Sequence, residues 1–154
     1  YAFLLREVYP GLRHSDYRVE YIVRSYTDVE EAKRVMRTSP GNLSLEEFYM
    51  VANSYLPGTE EYNETFKVMV RLYADDATAN LNAANVAMSK GDYSAATKYL
   101  SKAGNTREVL YAYGILAALQ GDYANARLYF EKSGEMGVIE AVGAIKEIDQ
   151  LTNQ

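Results

Sequence analysis

Few residues in this chain have the chemistry for a reactive site. His14 is the only histidine, and it stands in the run Arg13-His14-Ser15-Asp16. A Ser/His/Asp nucleophilic site draws its members from distant segments, so three adjacent residues cannot adopt its geometry, and the run reads as a surface loop. There is no Cys, which excludes a thiol nucleophile, a disulfide framework, an iron–sulfur site and a Cys/His zinc site. Carboxylates pair at Glu46/Glu47, Glu60/Glu61 and Asp75/Asp76. No Asp-x-Asp-x-Asp-Gly spacing accompanies them, and each pair falls near an expected helix start, where negative charge offsets the macrodipole. Gly91-Asp92 and Gly121-Asp122 are single turns without the Gly-x-x-x-x-Gly-Lys pattern that cradles phosphate. The expectation is no enzyme, no metal and no cofactor. A hydrolase or transferase would need a pocket gathering His14, Asp16 and a carboxylate from further along the chain.

The elements that would position such groups follow from composition and pattern. The chain has 154 residues, 48% of them apolar, which suits one domain or two small ones with a real core. Mean hydropathy is -0.30, and no apolar run approaches the roughly 18 residues of a membrane span. A net charge of -5 and a pI near 5.0 argue against nucleic acid as a partner, since that needs a basic face. The charge is uneven. Residues 1–43 carry seven Lys/Arg and six Asp/Glu, whereas residues 44–154 carry nine and fifteen. The boundary falls at Thr38-Ser39-Pro40-Gly41-Asn42, a strong breaker run, so two regions are expected, 1–43 and 44–154.

The first region reads as helix, strand, helix. Ala2 to Val8 is a short apolar-rich segment ended by Tyr9-Pro10-Gly11. Tyr17, Val19, Tyr21 and Val23 then alternate with Arg18, Glu20, Ile22 and Arg24, a strand pattern of period two. Thr27 or Asp28 can cap a following helix with Val29, Ala32 and Met36 on one face. Nothing after residue 43 reads as strand, so the edge of this one must find a partner elsewhere. That partner is expected to be an upstream part of the same protein or a second copy of the chain, giving a homodimer.

The second region repeats. Gly91, Asp92, Tyr93, Ala96, Tyr99, Lys102 and Gly104 recur 30 residues later as Gly121, Asp122, Tyr123, Ala126, Tyr129, Lys132 and Gly134. A period of that size indicates stacked supersecondary units. Gly91 and Gly121 can take the left-handed conformation that ends a helix, and Tyr93 and Tyr123 open the next one. Helices are predicted over Ala77–Lys90 and Arg107–Gln120, with Gly114 costing about 1 kcal/mol against Ala unless a close approach requires it. A degenerate earlier unit comprises Leu45–Leu56, a Pro57-Gly58 turn and Glu60–Tyr73. A last helix, Val138–Leu151, is expected to bury Ile139, Val142, Ile145 and Ile148 and to expose Glu140, Lys146 and Glu147, as a solenoid cap should.

Over roughly residues 44–151 these residues resemble the tetratricopeptide repeat, a helix-turn-helix unit. Gly91-Asp92-Tyr93…Ala96 and Gly121-Asp122-Tyr123…Ala126 look like its turn and second helix, Ala84 and Gly114 like its small residue in the first, and Ala87 and Ala117 like the later alanine. The spacing of 30 departs from the usual 34, and Asn80 and Leu110 stand at the usual large position. The fold class implied is mainly α: an α-α superhelix of antiparallel helix pairs behind a short helix-strand-helix segment. The resemblance further implies a concave groove lined by the first helices. By matching helices, Tyr49, Asn53, Leu81, Asn85, Met88, Tyr111 and Ile115 would face it. In peptide-binding members an Asn at the place of Asn53 and Asn85 bonds the ligand backbone. The Lys/Arg set that clamps a peptide carboxylate is missing, so a chaperone-tail receptor is not expected.

Tyr1-Ala2-Phe3-Leu4-Leu5-Arg6-Glu7-Val8-Tyr9-Pro10, followed by Leu12 to Val19, is similar to the end of an OmpA-like domain of Gram-negative envelope proteins. The implication is that this chain, which begins at Tyr1, is the C-terminal part of a larger outer-membrane-associated protein located in the cell envelope. The peptidoglycan-binding Asp and Arg of such domains would lie upstream, so no binding residue is carried over. The function expected is a non-catalytic protein–protein interaction or assembly module. It would take an extended or helical segment of a protein or peptide partner, without nucleic acid and without membrane insertion of this segment. The rival is a structural spacer with no specific ligand.

Overall fold

The structure is a computed structural model and describes residues 24–152. Among them are eight α-helices: α1 (Val29–Thr38), α2 (Leu45–Asn53), α3 (Glu60–Leu72), α4 (Ala77–Ser89), α5 (Tyr93–Leu100), α6 (Arg107–Leu119), α7 (Tyr123–Glu135) and α8 (Glu140–Thr152). A 3-10 turn, Pro40–Asn42, follows α1 at the breaker run. No strand occurs among the described residues. The segment expected to be a strand, with Tyr17, Val19, Tyr21 and Val23, lies outside them, as do the Ala2–Val8 helix and the His14-Ser15-Asp16 run.

Seven of the eight described helices start where the sequence supplies an acceptor for the free N–H groups of the first turn. Asp28, Ser44, Thr59, Asp76, Asp92, Thr106 and Asp122 all cap in this way. At Ser44 the cap is reciprocal: its hydroxyl accepts from Glu47 N–H at 3.3 Å, and Glu47 Oε2 accepts from Ser44 N–H at 2.7 Å. The pair Glu46/Glu47 therefore divides its labour. Glu46 is exposed, while Glu47 is buried and its Oε1 also accepts from Tyr26 N–H at 2.5 Å, tying the segment before α1 to α2. Burial opposes the charge on Glu47, but the hydrogen bonds from Tyr26 and Ser44 outweigh it and hold the carboxyl below its ordinary range.

The repeated Gly-Asp-Tyr turn is the same object twice. Gly91 and Gly121 have φ of 75° and 79°. Gly91 N–H donates to Met88 O and Asp92 N–H to Ala87 O, and Gly121 and Asp122 do the same to Ala118 and Ala117. These are Schellman closures of α4 and α6. The same aspartates then cap α5 and α7, accepting from Ala95 N–H at 3.0 Å and Asn125 N–H at 3.1 Å. One residue ends a helix with its backbone and starts the next with its side chain, which leaves no room for a longer loop.

Packing is sequential. Each helix lies against the next, and α4 also touches α6. The buried residues form three clusters in succession rather than one central core. The first joins Ala32 and Met36 of α1 to Phe48, Val51, Phe66 and Met69, so α1 shares a core with α2–α4 across the change in composition. The second centres on Ala84, Ala96, Leu100, Val109 and Leu116, the third on Ala117, Ala126, Phe130, Ala141 and Ile148. Gly114 sits where α7 crosses α6: a Cβ there would lie 2.5 Å from Phe130 Cε1. That contact accounts for a glycine inside a helix.

Two sequence expectations are corrected, and one matched pair of glycines diverges. The helix expected over Leu45–Leu56 stops at Asn53, since Ser54 folds back onto Val51 O and Pro57 disfavours helix at Leu56, which is left 76% exposed. Gly104 and Gly134, a matched pair in sequence, differ in structure. Gly104 has φ 82° in a loop, whereas Gly134 lies inside α7, where an added Cβ would meet Ala141 Cβ at 3.4 Å. The last helix begins at Glu140, and its buried face is Ala141, Ala144, Ile145 and Ile148, with Ile139 85% and Val142 58% exposed. The stripe 139, 142, 145, 148 has period three, and on a helix of 3.6 residues per turn each such step drifts about 60°, so its two ends face opposite ways. Glu140, Lys146 and Glu147 are exposed as expected. Arg127 of α7 pairs with both Glu131 and Asp149 and fastens α8.

Two predictions follow from these joints. Asp92→Ala and Asp122→Ala should each lower stability by about 1 kcal/mol and add in the double variant, since the turns share no partner; urea unfolding measures this. Gly114→Ala should destabilise by about 1–3 kcal/mol despite its better helix propensity, and Phe130→Leu should recover part of that loss, a coupling read from a double-mutant cycle.

Candidate interaction surface

The first helices of the successive pairs, α2, α4 and α6, carry equivalent positions one turn apart. Tyr49, Leu81 and Tyr111 occupy the fifth residue of each helix, and Asn53, Asn85 and Ile115 the ninth. The structure treats these six and Met88, the seven expected groove residues, very differently.

Tyr49 is committed to the fold. Its hydroxyl donates to Asp76 Oδ1 at 2.6 Å, the same oxygen that caps α4 through Ala79 N–H at 2.7 Å. Its ring meets Phe66 edge-on at 6.4 Å. Burial, and then the bond to the Asp76 carboxylate, push its phenol above its ordinary value. Met88 is only 6% exposed and belongs to the second core cluster, with Leu81 packed beside it. Tyr49 is thus held by α3 and by the cap of α4, and Met88 by the second cluster.

Asn53 and Asn85 are both exposed. Asn53 is the last residue of α2, whereas Asn85 lies within α4 and lines a cleft of about 310 Å³ with Pro57, Tyr62, Asn63 and Asn82. Asn53 does not line that cleft. Tyr62 donates to Asn82 Oδ1 at 3.2 Å there, and Asn82 Nδ2 donates to Thr78 O, so the wall beside Asn85 is already hydrogen-bonded.

Tyr111 and Ile115 do come together. They line a cleft of about 290 Å³ between α6 and α8, floored by Phe130 and Ile148 and flanked by Leu119, Leu151 and Glu147. Tyr111 leans on Phe130 with centroids 5.2 Å apart. Burial raises its phenol first, and the carboxylates of Glu140 and Glu147 add to the shift, so the rim of this apolar cleft is negative. Leu119 is 47% and Leu151 53% exposed. Both were missed in the sequence. For Leu119 the available signal was an apolar residue at the last turn of a helix, just before the Gly121 closure that leaves that turn open to solvent.

Among the described residues, no group of three or more His, Cys, Asp or Glu is placed to hold a metal, and no helix is long and apolar enough to cross a membrane. Burial raises the phenols of Tyr49, Tyr62, Tyr111 and Tyr113 above the ordinary 10.0. A group whose folded pKa is raised stabilises fully below its unfolded value and loses that contribution as pH climbs through the folded one. Stability should therefore fall above about pH 10, with phenolate absorbance rising in step with loss of helical circular dichroism; Tyr49→Phe should weaken that coupling. No family model matches the chain, and no curated protein matches it at a significant level.

Proposed function

We propose that this chain is a non-catalytic protein–protein interaction module, a TPR-like superhelix of helix pairs that takes a segment of a partner against its first helices. The observation that carries this reading is the apolar cleft at Tyr111 and Ile115, with half-exposed Leu119 and Leu151 at its edge and Glu140 and Glu147 near its rim. A cleft of about 290 Å³ suits one anchoring side chain of a peptide or helix, not a drug-sized molecule. The acidic rim favours a partner whose apolar anchor is followed by Lys or Arg. Sequential packing into three clusters supports the repeat reading, since repeat proteins build extended surfaces rather than single deep pockets. The envelope location and the OmpA-like neighbour are proposed on the resemblance of residues 1–19 alone.

The spacer reading is favoured by a different observation: Tyr49 and Met88, two of the seven groove residues, are consumed by the fold. A pull-down from envelope extract separates the two. The parent chain should capture a partner that Leu119→Glu/Leu151→Glu loses by about tenfold or more while keeping its helical content. Asn53→Ala/Asn85→Ala should lose less. A partner retained by the folded leucine variant would move the site elsewhere, and no partner at all would favour the spacer.

A further inference from the structure

With no Cys and no Trp, the side chain of this protein that most readily gives up one electron is tyrosine, and there are 15. Several of the described ones are already engaged. Tyr49, Tyr62 and Tyr73 spend their hydroxyls on Asp76, Asn82 and Leu43 O. The rings of Tyr49, Tyr62 and Tyr111 lie against phenylalanine, and those of Tyr26 and Tyr55 lie under Arg24 and Lys33. One ring contact among the described residues joins two tyrosines. Tyr113 of α6 and Tyr129 of α7 stack with centroids 5.4 Å apart and planes 21° from parallel. Both are half-buried, and neither hydroxyl has a hydrogen-bond partner among the described residues. Burial, and then Tyr129, hold the Tyr113 phenol above its ordinary value, so it keeps its proton at neutral pH.

Packing alone does not call for this pair. Phenylalanine at either position would supply the same ring without a hydroxyl to desolvate. The preceding unit makes the comparison. Thirty residues earlier Tyr129 is matched by Tyr99 but Tyr113 by Ala83. Ala83 and Tyr99 line one cleft, so the same helix pair closes without a second ring. The second unit therefore adds a phenol opposite one that the repeat already carries. The residues next to these rings set their approach, since Phe130 fills the place of a side chain at Gly114 and fixes α7 on α6. The two phenols are thus held together before any reaction, the condition for a fast intramolecular step.

We propose that Tyr113 and Tyr129 are the site of an oxidative tyrosine–tyrosine cross-link that staples α6 to α7. The oxidant is hydrogen peroxide acting through a peroxidase, which removes one electron from each phenol as its hydroxyl proton leaves. Each phenoxyl radical carries spin on the ring carbons beside the oxygen, Cε1 and Cε2. One such carbon of Tyr113 bonds to one of Tyr129. The hydrogen on each then moves as a proton to its own phenol oxygen, which restores both rings. One carbon–carbon bond forms, two hydrogens leave the protein, and one peroxide becomes two waters. The product closes a loop over residues 113–129 around the Gly121 turn, restraining the unfolded chain as a disulfide would in a protein that has no Cys. Neither ring lines the Tyr111 cleft, so the site does not rest on the partner-binding reading.

The test treats the whole chain, at low micromolar concentration, with a haem peroxidase and hydrogen peroxide. The expected product is a monomer lighter by two hydrogens, with biphenolic fluorescence. Trypsin cuts at Arg127, between the two rings, so the digest should contain their two peptides joined. The yield per chain should not depend on protein concentration, because both partners lie in one molecule. Tyr113→Phe and Tyr129→Phe keep the ring contact and the helical circular dichroism, and each should cut that yield by about tenfold or more. The cross-linked parent should unfold about 5 °C or more above the untreated chain, and the treated phenylalanine variants should not. The assignment is overturned if the cross-links run mainly between chains, if other tyrosines couple as often, or if either variant keeps the parent's yield. An unchanged unfolding midpoint overturns the staple.

Discussion

Asp92 and Asp122 each close one helix with the main-chain N–H and open the next with the carboxylate, and the positive φ of the preceding glycine makes both possible at once. With no spare residue in the turn, the two helices of a pair must run antiparallel in close contact, and that closeness decides what their facing surfaces can carry. Ala84 and Ala96 are fully buried in one pair, as is Ala126 in the next, and Gly114 has no side chain because Phe130 occupies its place. The small residues are a consequence of the turn, and the clusters of larger ones form in the spaces that remain.

Stability is therefore distributed. Three clusters succeed one another along the chain, each bridged to its neighbour by residues such as Tyr99, which packs on the first and the second, and Ile115, which packs on the second and the third. Polar ties reinforce the joints at both ends: Glu47 holds the stretch before α1, and Arg127 holds α8 through Asp149. In such an arrangement a surface position of one unit can diverge without disturbing the next, because contacts reach little beyond the adjacent helix. The contrast between Lys98 and Ser101 and their counterparts Leu128 and Glu131 is an instance of that freedom.

Much of the candidate surface was illegible beforehand for a definite reason. Matching helices correctly placed Tyr49, Leu81 and Tyr111 on one register and Asn53, Asn85 and Ile115 on another. Register says which way a side chain leaves its helix, but not whether a neighbour has already taken its contacts. Tyr49 found Asp76 across 27 residues, while Tyr111 found a ring and an open cleft. The same limit applies to Glu47, one of two adjacent carboxylates on paper, of which only one is enclosed by the segment at Tyr26.

The amino-acid sequence by itself determined the helices, their caps and their turns. Those depend on contacts within a few residues: a glycine free to adopt positive φ, an aspartate three residues before a free N–H, a proline that stops what precedes it. It determined the 30-residue repeat for the same reason. Which face of α8 is buried, which of two equivalent tyrosines remains available and which ring Tyr113 stacks on were decided only by the tertiary structure. Each of these depends on how closely a second helix approaches, and that distance is set by packing between segments that the chain does not place side by side.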